Sequence, residues 1–159
     1  YLDYLKDKWG NSSRKKLLQQ IRRIYKDNKI RVLENNRNDL LLLEKFNIKR
    51  FGEKSSFIYP YRINVFKELS EKFEMILLTI EVNGEKEAVS FGLKYRDVYI
   101  GMNAGVNDKV PDLSKLLIML QIDKAIALGC TAYDAGKGDS GWKESFKLNK
   151  TPQYKSISV

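Results

Sequence analysis

Hydrophobic and polar positions alternate most cleanly from Met75 to Val82, with Ile76, Leu78, Ile80 and Val82 on one face and Leu77, Thr79 and Glu81 on the other. A period of two is the signature of a β-strand. Asn83-Gly84 follows as a tight-turn dipeptide, and Ala88 to Tyr95 reads as the returning strand. Arg96-Asp97 turns the chain again, and Val98 to Asn103 supplies a third strand. Together they predict an antiparallel meander.

On either side of the meander the period lengthens to that of a helix. Leu17, Leu18, Ile21, Ile24 and Tyr25 form one helical face, N-capped by Asn11, Ser12 or Ser13 and ending near Asp27. Lys15, Lys16, Arg22, Arg23 and Lys26 lie off that face. Arg14 projects on the apolar side in the first turn, where a charge must find a partner, reach a cleft or fray into water. Leu2 to Trp9 reads as a short helix stopped by Gly10, Lys29 to Glu34 as a first strand, and Asp39 to Phe46 and Arg62 to Phe73 as helices. Pro111-Asp112 opens a further helix, with Asp112 as its N-cap and Gly129 as its stop. That helix is apolar nearly all round and is expected to be buried. It leads into a strand ending at Asp134, by a right-handed parallel crossover.

Composition narrows the class. A chain of 159 residues, 43% of them apolar, suits one domain with its own core. The longest apolar stretch, Leu116 to Leu128, is interrupted by Gln121, Asp123 and Lys124 and is too short to span a bilayer. A single cysteine, Cys130, excludes an internal disulfide and points to a reducing cytoplasm. Without histidine, neither a zinc site nor a histidine-based triad is expected, and no metal set is assigned. The net charge of +9 is uneven: residues 1–31 hold ten Lys/Arg against three Asp, leaving +2 for the rest. Such an element fits an anionic partner or a solvated helix face.

The candidate chemistry sits after the last strand, in Asp134-Ala135-Gly136-Lys137-Gly138-Asp139-Ser140-Gly141-Trp142-Lys143. Three glycines in six positions allow a sharp turn or a close backbone approach. Two carboxylates, two lysines and a tryptophan around them are poor core material. Asp134 is the first choice for proton handling, with Lys143 and Arg14 as the cations to pair with it; the alternative is that Asp134 caps the glycine turn. Glu81 and Tyr99 are further acid/base candidates, and Cys130 reads as a small buried residue.

This run resembles the D-x-G-[KR]-G-D-x-x-[YW]-K segment of the GNAT-fold acyltransferases of the cellulose-biosynthesis-protein and FemAB-like group, matched at Asp134, Gly136, Lys137, Gly138, Asp139, Trp142 and Lys143. The segment Ser12 to Arg23 is similar to that group's basic first helix, and the order of elements between the two agrees. The resemblance implies an α+β GNAT fold, with a mixed, mostly antiparallel sheet flanked by helices. It also implies a sheet that opens between the third meander strand and the strand after the crossover helix, to admit the pantetheine arm of acyl-CoA. Met102, Asn103, Gly105 and Val106 would face that arm, and Ser114 and Lys115 the phosphates. Asn103 would donate to the acyl carbonyl. Arg14, Lys137, Asp139 and Trp142 would face the acceptor, and Asp134 and Lys143 would serve catalysis.

The chain departs from the group in two places. The group's histidine near an arginine and an aromatic residue is missing, although Arg50 and Phe51 are present, and Asp112 stands where a Pro-Gly pair would place glycine. The expected activity is therefore N-acylation of an amine by acyl-CoA, with no permanently bound cofactor. An aminoacyl-tRNA donor and a non-catalytic module binding a partner or nucleic acid remain the alternatives. The resemblance also implies a second, related domain in a longer chain.

Overall fold

The computed structural model describes residues 10–138 and 141–152. The helix expected over residues 2–9 and the candidate Asp139 lie outside the described residues. Helix α1 (Asn11–Asp27) leads into strand β1 (Ile30–Glu34), followed by α2 (Leu40–Phe51) and α3 (Tyr61–Lys72). The meander is β2 (Glu74–Val82), β3 (Glu85–Tyr95) and β4 (Val98–Val106). The crossover helix α4 (Leu113–Ala127) then precedes β5 (Ala132–Asp134) and the short α5 (Gly141–Ser145). The strands form one sheet in the order β1-β2-β3-β4-β5, antiparallel throughout except for the parallel β4–β5 pair.

The alternation read from β2 sorts its side chains onto two cores. Ile76, Leu78, Ile80 and Val82 pack with Tyr99, Leu113, Leu116 and Leu117 under α4 and α1. Leu77, Val89, Phe91 and Leu93 pack with Leu43, Phe46, Phe57 and Phe66 under α2 and α3. The sheet is thus covered on both faces. Fully burying one such side chain contributes about 1.5–3 kcal/mol against solvent.

Helix α4 is as enclosed as its composition requires, with the sheet on one side and a third cluster (Leu17, Met119, Ile122, Phe146) on the other. Helix α1 packs against α4 through Leu17 and Ile24, whereas Tyr25, expected on the same face, is 48% exposed. Gly10, not Asn11, Ser12 or Ser13, occupies the α1 N-cap. Helix α2 runs five residues beyond its expected end at Phe46, to Phe51, because Asn47 finds buried polar partners and Gly52, at φ +53, provides the stop. Among the described residues no helix is long and apolar enough to cross a membrane.

Candidate active site

Strands β4 and β5 pair over only three positions, Val98↔Ala132, Tyr99↔Tyr133 and Ile100↔Asp134. β4 then continues to Val106 without β5 beside it. The parting begins at a bulge. Phe91 faces Asn103 and Gly92 faces Gly101, so Met102 is the extra residue, and such an insertion bends its strand. Two glycines bring the walls together just before they separate. A Cβ on Gly101 would lie 3.1 Å from the Tyr133 hydroxyl, and one on Gly136, at φ +72, would lie 3.3 Å from the Gly101 carbonyl.

Helix α2 braces the inner wall of this opening. Its packing on β4 is so close that a Cβ on Gly105 would lie 2.8 Å from the Phe46 Cβ. From this helix the buried Asn47 reaches β4: its Nδ2 donates to Asn103 Oδ1 at 2.9 Å and to the Ala104 carbonyl at 3.3 Å. The Ser55 hydroxyl donates to Asn47 Oδ1 at 2.7 Å, and the Ala104 N–H donates to Asn103 Oδ1 at 2.8 Å. Sequence reasoning selected Asn103 and missed Asn47. The available signal was an amide four residues after Leu43, on the helix face that is otherwise apolar.

The outer wall is the glycine loop. Asp134 ends an edge strand and is exposed, so it can be ionised in contact with solvent without needing a buried partner. Its Oδ1 accepts the Gly136 N–H at 2.7 Å. Lys143 does not pair with it. The ammonium is wrapped by the loop, donating to the carbonyls of Gly136 (2.6 Å), Lys137 (3.2 Å) and Gly138 (2.9 Å). Lys143 also lies over the Trp142 ring, 5.8 Å from its centroid, and that ring meets Phe146 edge-on. Lys137 is exposed on the loop, and Trp142, in α5, is 37% accessible.

The start of α4 lies beyond the far end of β4. Asp112 occupies the N-cap position, as expected, but adopts φ +63, the left-handed conformation that glycine takes readily, and its side chain makes no capping bond. Its carboxylate instead holds Lys115 Nζ at 2.7 Å, and Lys115 also reaches Gln20 of α1 at 3.1 Å. Lys115 is therefore engaged, whereas the half-buried Ser114 hydroxyl has no partner among the described residues. First-turn N–H groups and the helix dipole make this end attractive to a phosphate. The preceding loop is anchored by the buried Glu87, which accepts from Asn107 Nδ2 at 2.6 Å and from Lys109 Nζ at 3.0 Å.

Gly105 and Val106 are buried, with the Val106 side chain in the α4 core, so these two bring backbone rather than side chains to the opening. Met102 is 41% exposed at the bulge. Arg14 is half-buried and donates to Asn11 Oδ1 at 2.9 Å; no ion pair with Asp134 forms. Tyr99 is fully buried, and desolvation first, then Tyr133 and Cys130, pushes its phenol far above the ordinary value, which removes it from acid/base work near neutral pH. A depression of about 450 Å³ that includes Lys45, Glu81, Lys86 and Asn107 lies beside the β2–β3 turn, and neither Asn103, Asp134 nor Ser114 lines it.

The fold has counterparts among known proteins. A family model described as an acetyltransferase (GNAT) domain matches residues 11–144. No curated protein matches in sequence. Among solved structures, the aminoglycoside N-acetyltransferase AAC(6')-Iy in complex with CoA is 8% identical, with a TM-score of 0.58 over 83% of this chain and 95% of that one. A GNAT family acetyltransferase from Brucella melitensis in complex with acetyl-CoA is 12% identical, with a TM-score of 0.57 over 74% and 81%. An aminoglycoside acetyltransferase from an uncultured soil metagenomic sample is 13% identical, with a TM-score of 0.58 over 82% and 99%. At these identities the structures establish the fold, and the match over residues 11–144 establishes the family: the chain belongs to the GNAT acetyltransferases.

Proposed function

We propose that the protein transfers an acyl group from acyl-CoA to an amine, by direct attack of the amine nitrogen on the thioester carbonyl. The observation that carries this reading is the end of β4–β5 pairing at Ile100 and Asp134, with six further residues of β4 left open. In this reading the pantetheine arm runs along the freed edge from Met102 to Val106. The pyrophosphate meets the first turn of α4 at Ser114, with Lys115 close by. The acceptor lies on the glycine-loop side, near Asp134, Lys137, Asp139, Trp142 and Arg14. The Asp134 oxygen that has no partner among the described residues receives the ammonium or the proton it releases, and Lys143 holds the loop that presents Asp134. Holding amine and thioester together in attack geometry supplies much of the acceleration in such a transfer.

The resemblance of the glycine loop supports reading the chain as a member of the cellulose-biosynthesis and FemAB-like branch. The aminoglycoside enzymes among its structural neighbours favour a polar, amine-bearing acceptor. Titration calorimetry with acetyl-CoA, followed by thiol release with kanamycin, spermidine and glucosamine as acceptors, tests the proposal. Saturable binding with acceptor-dependent release of CoA is expected. No heat and no thiol release would overturn it and leave a GNAT-fold binding module.

A second reading, transfer from aminoacyl-tRNA, is favoured by the exposed cations Lys15, Lys16, Arg22, Arg23 and Lys26 along α1. It requires tRNA binding that weakens steeply with salt as counterions are released. Binding that is flat from low to high salt removes it.

A further inference from the structure

The open edge of β4 presents an unusual donor. At Ala104 both backbone polar groups are already taken: the N–H donates to Asn103 Oδ1 at 2.8 Å, and the carbonyl accepts from Asn47 Nδ2 at 3.3 Å. Asn103 Oδ1 also accepts from Asn47 Nδ2 at 2.9 Å, and Asn47 is itself oriented by the Ser55 hydroxyl, which donates to its Oδ1 at 2.7 Å. Asn47 and Ser55 are 5% and 2% exposed, so neither exchanges these partners for water. Because the Ala104 carbonyl can only accept, Asn47 must turn its NH₂ toward β4 and its oxygen toward Ser55, whose hydroxyl accepts the Phe57 N–H at 3.2 Å and donates to that oxygen. Because that NH₂ and the Ala104 N–H both donate, Asn103 must turn its oxygen inward. In a planar amide the nitrogen then points away from both. Asn103 Nδ2 is left without a partner among the described residues, on a half-buried side chain next to the Met102 bulge.

We infer that Asn103 Nδ2 is the hydrogen-bond donor to the acyl carbonyl oxygen, and that Ser55 and Asn47 are positioning residues that fix which end of the Asn103 amide faces the opening. The inference rests on the proposed acyl-CoA reading. In the transfer the amine lone pair forms the C–N bond while the carbonyl π pair moves to oxygen. Asn103 N–H stabilises that oxyanion in place of the Ala104 main-chain amide. The pair then returns, the C–S bond breaks, and CoA leaves as thiolate and takes up the proton lost by the amine, passed on from Asp134. A donor aimed in advance at the developing charge needs no reorganisation during the step.

The variant Asn103→Asp separates this role from a structural one. A carboxylate at 103 still accepts from Asn47 and from the Ala104 N–H, so the internal bonds survive while the outward donor becomes an acceptor. Asn47→Asp breaks the relay: Ser55 still donates to it, but the new carboxylate draws the Asn103 NH₂ inward against the Ala104 N–H, so the amide no longer holds its nitrogen toward the opening. With ¹⁵N-labelled protein, the side-chain NH₂ signals of Asn103, assigned by their loss in Asn103→Asp, are expected to shift with acetyl-CoA and not with CoA, which lacks the acyl oxygen. In Asn47→Asp that difference is expected to vanish. Both variants are expected to keep acetyl-CoA affinity within about threefold and to lose about 10²-fold in kcat with KM little changed. If wild-type protein binds acetyl-CoA while the Asn103 signals respond equally to CoA, or Asn103→Asp keeps its kcat, the inference is overturned and the acyl-CoA reading stands. If wild-type protein binds neither ligand, both fall. Should Asn47→Asp fail to fold, Asn103→Asp and the wild-type titration decide alone.

Discussion

Asp134 and Lys143 meet at one glycine rather than at each other: Asp134 Oδ1 accepts the Gly136 N–H at 2.7 Å, and Lys143 Nζ donates to the Gly136 carbonyl at 2.6 Å. Opposite charges therefore grip both polar groups of a glycine whose Cα faces the Gly101 carbonyl across the last point of contact between β4 and β5. The geometry makes the two residues joint supports of the loop, and the second Asp134 oxygen has no partner among the described residues.

Gly136→Ala is expected to open that contact. The φ of +72 is one that a side-chain-bearing residue adopts at a cost of about 1–2 kcal/mol, and the new Cβ would press on a backbone carbonyl. A lower urea midpoint is expected together with weaker acyl transfer. Lys143→Met keeps the aliphatic stem and removes the donors. Because the loop is exposed, its effect on stability is expected to stay within about 0.5 kcal/mol while turnover falls. A Lys143→Met protein with full turnover would leave the loop without a functional role.

Tyr99→Phe tests a hydroxyl buried without a partner among the described residues. The phenol sits over Gly92, where a Cβ would lie 2.6 Å from its oxygen. Deleting the hydroxyl removes a desolvation cost of about 1–3 kcal/mol, set against the dispersion attraction of a single oxygen atom. Stability at pH 7 is therefore expected to hold or rise. The alkaline behaviour gives a sharper sign. The folded pKa is raised above the ordinary 10.0, so the contribution of the protonated phenol is complete below that value. It is lost as pH climbs above it, because the unfolded chain releases the proton first. Tyr99→Phe is expected to flatten the fall in unfolding free energy between about pH 9 and 11, measured by urea titration. An unchanged slope would refute the assignment.

The meander, the crossover helix and the glycine loop were legible because each depends on local rules: a period of two, Asn83-Gly84 as a turn, an apolar helix ended by Gly129. The details that shape the opening were not. The bulge at Met102 falls within a run whose residue types suit a strand in either register, so no pattern marks it. The bond between Asn47 and Asn103 joins residues 56 apart, and asparagine in a helix is an ordinary surface residue until tertiary contact selects it. Asp112 is the N-cap that aspartate's preference predicts, but its positive φ and the turn of its carboxylate to Lys115 rather than to the helix N–H groups are set by tertiary contacts. Arg14 was correctly placed on the inner side of α1, yet which partner it would take could not follow from helical phase alone.

Asp97 gives a local check of the β3–β4 turn. The Thr131 hydroxyl donates to Asp97 Oδ2 at 2.6 Å, and this bond, followed by one from the aspartate's own backbone, lowers the carboxyl below the ordinary 3.8. Its stabilising effect is complete above that value and disappears as pH falls through the lowered folded pKa. Thr131→Val is expected to return the Asp97 titration toward 3.8, read by carboxyl ¹³C shifts. A midpoint that does not rise would show that the backbone alone holds it down.

The strongest test of the phosphate-binding end is to relieve it of its own anion. Asp112 places a carboxylate at the start of α4, where a phosphate is proposed to bind, and holds Lys115 by a 2.7 Å contact. Asp112→Asn removes the charge, frees the ammonium and keeps a residue that tolerates a left-handed backbone. Acetyl-CoA is expected to bind about two- to fivefold tighter, the factor corresponding to about 0.3–1 kcal/mol at a helix terminus. The gain should shrink as salt screens the end of the helix. Asp112→Gly should give the same gain and relax the φ of +63 as well, so its unfolding midpoint should exceed that of Asp112→Asn. Weaker binding in both variants would mean that the Asp112–Lys115 pair organises the phosphate site, and the proposal that Asp112 competes with the ligand would fail.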